Sequence, residues 1–132
     1  MVDIEALITT FLRAQTLVTD LVSDRVYSDM PHDREYPLVL VNRVGGGFTY
    51  KNHLEEADVE ISSYGGTHKQ AYTLAAACLT SMAAGIVGSH PDGVVTKVKA
   101  TATTYSPETD SQDPQGHSRP RVILSATVTA HP

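Results

Sequence analysis

The sequence predicts an α+β domain in which an antiparallel or mixed sheet of four to five strands carries two helices packed on one face. Three observations lead there. Apolar residues recur with a helical period near the start of the chain and again through the alanine-rich segment from Ala71. Three other runs alternate polar and apolar residues with the period of two that a half-buried strand requires. These elements follow as helix, two strands, strand, helix, strand, strand, so strands adjacent in sequence can pair directly while two helices cover one face. The 132 residues suit a single domain, 1–132, large enough for a core without covalent staples.

Ile4, Leu7, Ile8, Phe11 and Leu12 fall on one helical stripe, and Asp3 and Glu5 sit where the positive end of the helix dipole favours acids. A first helix over residues 3–15 follows. Residues 16–22 repeat the pattern as a short helical turn, with Thr16 as its cap and Leu17, Leu21 and Val22 turned inward. A short strand is expected over residues 25–28, then a polar connection containing Pro31, then a β-rich run over residues 36–44. In that run Leu38, Leu40 and Asn42 share one face and Val39, Val41 and Arg43 the other, with Pro37 tolerated near the start. "GGGFTYKN", residues 45–52, reads as a flexible connection outside the core.

Ala57, Val59 and Ile61 then alternate with Glu56, Asp58, Glu60 and Ser62, which makes a strand with one wet, acidic face. Ala71, Leu74, Ala75, Cys78, Leu79, Met82 and Ile86 form one stripe of a long helix ending near Gly85 or Gly88, and its small residues allow close approach to a sheet. Two alternating runs close the chain. In residues 94–105, Val94, Thr96, Val98, Ala100 and Ala102 share a face; in residues 121–130, Val122, Leu124, Ala126, Val128 and Ala130 do. They are joined by "SPETDSQDPQGHSRP", polar, acidic and punctuated by proline, as in a hairpin with a long mobile tip. Such a tip exceeds the roughly two to five residues of a hairpin turn, so it has a function or is disordered. Mobile loops are thus placed at residues 45–52 and 106–118.

Ten basic against fifteen acidic residues give a formal charge of −5, which argues against a general nucleic-acid binder and leaves room only for a local basic patch. The single cysteine, Cys78, excludes an intramolecular disulfide, and neither CxxC nor Cys/His zinc spacing occurs. That usage is compatible with a reducing cytoplasm. The opening "MVDIEALITTFLR" lacks a basic leader and an uninterrupted apolar core, and no segment approaches the roughly 18 to 20 apolar residues of a membrane span. A soluble chain without an N-terminal export signal is expected.

The stretch "SSYGGTHKQAYTLAAA", residues 62–77, raises the question of a phosphate loop, because glycines and a lysine stand between a strand and a helix. A P-loop needs GxxxxGK[ST], in which backbone N–H groups cradle phosphate and the hydroxyl holds Mg²⁺. Here Lys69 follows His68 and Gln70 replaces the hydroxyl residue, so a turn and cap accounts for the sequence better. Gly65 and Gly66 turn the chain, Thr67 caps the helix, and His68, Lys69 and Gln70 face solvent. The six histidines show no HxxxH or HExxH spacing, no GxSxG elbow occurs, and Cys78 lies on an apolar stripe as a small hydrophobe. Nothing apolar surrounds Glu56, Asp58 and Glu60 to raise one carboxyl pKa, so they read as a solvated or partner-facing surface. No catalytic residue, cofactor or metal ligand is expected.

The succession of "LITTFLRAQTLVTDLVSDRVYSDMPHDREYPLVLVNRV", "ADVEISSYGGTHKQAYTLAAACLTSMAAGI" and a final hairpin resembles the tail-terminator, or tail-completion, proteins of long non-contractile-tailed bacteriophages. The matching positions are Val26, Tyr27, Pro31, Tyr36, Pro37 and Leu38, then Val59, Ile61 and Tyr64. The similarity spans nearly the whole chain, although only Tyr64 supplies the usual aromatic near the strand end and "GGGFTYKN" is richer in glycine than the pattern.

The resemblance implies a structural virion protein, assembled in the host cytoplasm and seated at the tail–neck junction. It implies a homo-oligomeric ring, commonly a hexamer, that caps the tail tube, stops addition of tube protein and presents a surface to the head connector or stopper. Double-stranded DNA would pass through its lumen without sequence-specific binding, and no membrane is involved. Candidate assembly contacts are Phe48, Tyr50, Lys51, Glu56, Asp58, Glu60, His68, Lys69, Glu108, Asp110 and Asp113. Two alternatives stand beside it: another neck protein, such as a head-completion or stopper protein, and a small α+β enzyme using His68 and Glu60 between helix and sheet. A generic intracellular ligand-binding domain is a third.

Overall fold

The computed structural model describes residues 2–49, 54–109 and 118–132. Helix α1, Ile4–Arg13, is capped by Asp3, whose Oδ1 accepts the Ala6 N–H at 3.0 Å. It buries Ile4, Leu7, Ile8, Phe11 and Leu12, as the spacing predicts. Helix α2, Thr16–Val22, begins one residue earlier than a Thr16 cap would allow: Gln15 occupies the N-cap position without a side-chain bond. Its inward pair is Val18 and Val22, four residues apart on one face. Leu17 and Leu21 are 54% and 38% exposed, which corrects the expectation that they turn inward; the turn is too short to bury two faces.

Strand β1, Val26–Tyr27, runs parallel to β2, Leu38–Thr49, opposite Val39 and Leu40. The glycine run is not a connection at first. Gly45, Gly46, Gly47 and Phe48 continue β2 and pair with Asp58, Ala57, Glu56 and Glu55 of β3, Leu54–Tyr64. A bulge between Arg43 and Gly45 admits this extension. Helix α3, His68–Gly85, ends at the first of the two glycines expected. It buries Ala71, Leu74, Ala75, Cys78, Ser81 and Met82 against the sheet. Strand β4, Gly88–His90, folds back on β5, Gly93–Tyr105; it is not legible in the sequence because a three-residue strand carries no period. Short strands β6, Glu108–Thr109, and β7, Ser118–Arg119, pair with each other, and β8, Arg121–His131, follows.

The result is the expected α+β architecture with a mixed sheet, in the order β1-β2-β3-β8-β5-β4. The main sheet has six strands where four to five were expected, because β4 joins it, and the described residues hold three helices where two were expected, because α2 is complete though short. Ala57, Val59 and Ile61 of β3 and Leu124, Ala126 and Val128 of β8 pack under the helices with Leu7, Ile8, Leu12, Leu74 and Met82.

One facing assignment is corrected. In β5 the residues opposite the inward side chains of β8 are Val95, Val98, Ala100, Thr103 and Tyr105, since register shifts fall at Val95/Lys97 and Ala100/Ala102. Directly paired residues share a face, and each bulge inverts the alternation beyond it. Val94, Thr96 and Ala102 therefore do not share the face of Val98 and Ala100, as strict alternation implies.

Candidate assembly surface

The face of the sheet turned away from the helices is polar. Glu56 and Asp58 are exposed and Glu60 is partly exposed; all three stand opposite the inward row of β3. Across the ladder they meet Thr129, Thr127 and Ser125 of β8, which in turn stand beside Lys97, Lys99 and Ala102 of β5. Thr127 Oγ1 donates to Asp58 Oδ1 at 3.0 Å. On the other side Glu56 and Asp58 face Gly47 and Gly45, which have no side chains, so the carboxylates lie open toward β2. This is a carboxylate row in water, as the sequence predicts, with hydroxyls and lysines one and two strands away.

The corner between β3 and α3 is a reinforced cap. Thr67 Oγ1 accepts the Gln70 N–H at 3.1 Å, and Gln70 Oε1 turns back to accept the Gly66 N–H. This is a variant of the capping box, in which the N3 side chain, Gln70, reaches back to the N–H of Gly66 just before the N-cap instead of that of Thr67 itself. A Cβ on Gly65 would lie 2.8 Å from the Ala71 nitrogen, so the helix can approach the strand only if that residue is glycine. Thr67→Ala is expected to cost about 1 kcal/mol and Thr67→Ser far less, read as the shift in a urea unfolding midpoint; equal shifts would mean the hydroxyl does not cap.

His68 and Lys69 are exposed, as expected. The His68 ring stands edge-on to Tyr105 with centroids 4.3 Å apart. Lys69 borders a cavity of about 280 Å³ with Leu21, Pro37, Thr73 and Leu74. Glu60 points to the opposite side of the sheet from α3, so the structure does not bring His68 and Glu60 together, and the enzyme alternative loses its pair. Among the described residues no group of three or more His, Cys, Asp or Glu could hold a metal ion, and no helix is long and apolar enough to cross a membrane.

Glu108 is held in the β6–β7 pair. It pairs with Arg121 and accepts the Tyr64 hydroxyl at 2.7 Å, while Arg121 Nε donates to the Ser106 carbonyl at 2.8 Å. Burial and the Glu108 bond push the Tyr64 phenol up to about 12. The Arg119 guanidinium lies 4.0 Å from the centroid of the Tyr36 ring. Tyr36 and Tyr64, two positions of the family-like pattern, thus hold this corner together. Phe48 is exposed at the far end of β2, and Tyr50, Lys51, Asp110 and Asp113 lie outside the described residues.

Sequence reasoning missed Glu55. It is only 3% exposed, pairs with the Arg43 guanidinium, and accepts the Val2 N–H at 3.1 Å. Arg43 in turn gives its own N–H to Glu5 at 3.1 Å. Burial pushes the Glu55 carboxyl up, but the Arg43 and Val2 hydrogen bonds and the Arg43 charge outweigh it and hold the group below the ordinary glutamate range. A signal exists in the sequence, since Glu55 has the same parity as Ala57, Val59 and Ile61. Cys78 is buried against Ser63, and burial pushes its thiol up to about 12, which leaves it unreactive.

The fold is an α+β domain with a six-stranded main sheet, helices on one of its faces, a polar other face and a small β6–β7 sheet beside it. Residues 1–120 match the family described as phage tail termination protein, and the chain belongs to that family. It is a structural virion protein. Its fold is shared with a solved chain from the virion of a native gene transfer agent particle. That pair is 16% identical with a TM-score of 0.60, and the match covers 97% of this chain and 94% of that chain. A search among curated proteins finds no match.

Proposed function

We propose that copies of this chain close into a ring, six in number, that caps the completed tail tube, halts the addition of tube subunits and offers its other end to the head connector or stopper. The family carries this reading, and the observation that supports it most directly is the segregation of the sheet's two faces. Helices cover one side, and Glu56, Asp58 and Glu60 occupy the other. Turned inward in a ring, that row would give the DNA channel a carboxylate lining that does not grip passing phosphates.

His68, Lys69 and Glu108, with Tyr50, Lys51, Asp110 and Asp113, supply contacts to tube and connector in this reading. The segments over residues 45–52 and 106–118 contact the other components on assembly in this reading. Electron microscopy of particles made without the protein tests the role. Tails of uncontrolled or excessive length are expected. Tails of normal length that fail to join heads would overturn the terminator role in favour of a neck adaptor.

A further inference from the structure

Both lateral edges of the six-stranded sheet are open over part of their length. β1 covers β2 only at Val39 and Leu40, Glu5 caps the Arg43 N–H, and β4 covers β5 only from Gly93 to Val95. Among the described residues, residues 44–49 of β2 and 96–105 of β5 have no ladder partner on their outer sides. Open edges of this kind are templates for another strand.

The two edges fit each other. β2, β3, β8 and β5 are antiparallel in succession, so β2 and β5 run in opposite directions. A second copy can therefore place its β2 beside β5, continue the antiparallel order, and keep all helices on the same side. Each edge strand also carries a bulge, at Arg43/Gly45 in β2 and at Ala100/Ala102 in β5. When Phe48 is set opposite Val98, these two bulges fall opposite one another. Gly46 then meets Ala100 on one side of them and Arg43 meets Thr103 on the other, all four on the helix side of their sheets. The two extra residues cancel, and alternation stays in phase along the whole contact.

Side chains favour the same register. Phe48 is 52% exposed and shares the face of its partner Glu55, the helix side. Beside β5 on that side lies an apolar groove of about 150 Å³ lined by Leu79, Met82, Ala83, Val98 and Leu124. On the opposite face Lys99 would look across Gly47 of the incoming strand, which offers no side chain to obstruct it, and Lys97 would stand one pair further along. Behind Gly47 and Gly45 are Glu56 and Asp58, with Glu56 two strand spacings or about 10 Å from the Lys99 backbone, within reach of extended side chains. The Asp58 carboxylate already leans toward the incoming edge: a Cβ on Gly45 would lie 3.5 Å from its Oδ2.

We propose that β2 of one copy docks antiparallel on the open edge of β5 of the next, with Phe48 in the groove beside Val98, Lys99 paired to Glu56 across the bare strand, and Lys97 and Asp58 flanking that pair on the diagonals. The contact is head-to-tail, so it repeats around a ring; it rests on the ring reading above and names its interface. The test combines light-scattering mass with disulfide trapping of a Phe48→Cys/Val98→Cys chain under mild oxidation. A ladder of covalent oligomers is expected on a non-reducing gel. Lys97→Glu/Lys99→Glu should weaken association at least tenfold, and adding Glu56→Lys/Asp58→Lys to the same chain should restore it. These charge changes lie on the surface, and circular dichroism checks that each variant folds. A ring of unchanged mass that yields no cross-link and tolerates the lysine reversal overturns this contact while leaving the ring. A chain that stays monomeric at every concentration overturns both.

Discussion

Gly46→Ala is expected to cost the protein about 3 kcal/mol of stability or more, whereas Gly47→Ala, one residue on, should change it by no more than about 0.5 kcal/mol. Gly46 has a φ of +112°, a conformation that L side chains rarely adopt. A Cβ there would meet the Glu56 carbonyl oxygen at 2.0 Å and the Ala57 Cα at 2.9 Å. Both atoms are backbone of β3, which is paired on both sides and has nowhere to retreat. Gly47 has open space instead, with nothing within 4 Å of the point where an alanine methyl would stand. The pair of variants separates the needs of the bulge from a general dislike of side chains in a glycine run. Urea midpoints measure both, and equal losses would mean that the close approach of β2 to β3 is not what the glycine serves.

The same glycines explain what the sequence left hidden. Three in a row read as a flexible connection because a strand interior gains nothing from a residue without a side chain. Here they let β2 pass its bulge and stay in register with β3 as far as Thr49. The alternating runs and the stripes of α1 and α3 were legible because each buries one face against a large neighbour. α2 was legible as a helix but not in its facing, since Leu17 and Leu21 are as apolar as Val18 and Val22. In β5, strict alternation failed because Val98 and Ala100, between the two bulges, face the opposite way from Val94 and Ala102 outside them, and nothing in "GVVTKVKATATTYS" marks where the extra residues fall.

The candidate surface was legible unevenly. The acidic row of Glu56, Asp58 and Glu60 stood out because like charges at alternate positions can only share a wet face. Phe48 was named as a contact, but its direction depends on the register beyond the bulge, which only the ladder with β3 fixes. Thr67 is legible as a cap from its place after two glycines, whereas the bond of Gln70 to Gly66, one residue before the N-cap, is not a spacing that the capping-box pattern marks. Glu55 escaped because its carboxyl looks like those of its exposed neighbours, and the cation that lets it go inward, Arg43, lies twelve residues away on another strand.

That buried carboxylate should contribute to the response to acid. Glu55→Ala is expected to cost about 3 kcal/mol, because Arg43, only 25% exposed, would keep its charge beside an apolar gap and the Val2 N–H would lose its acceptor. Glu55→Gln should lose less, since an amide oxygen can still accept from Val2. The pH dependence separates charge from shape. The Arg43 and Val2 bonds hold the Glu55 carboxyl below its ordinary value, so the folded state holds its proton less readily than the unfolded chain does. Its contribution is therefore complete above the unfolded value and is lost as pH falls through the folded one. Unfolding midpoints of the wild type should drop through that acid window more steeply than those of Glu55→Gln, with the two curves converging at the lowest pH. Parallel curves from neutrality downward would show that the pair with Arg43 adds packing to the β2–β3 junction but no net charge stabilisation.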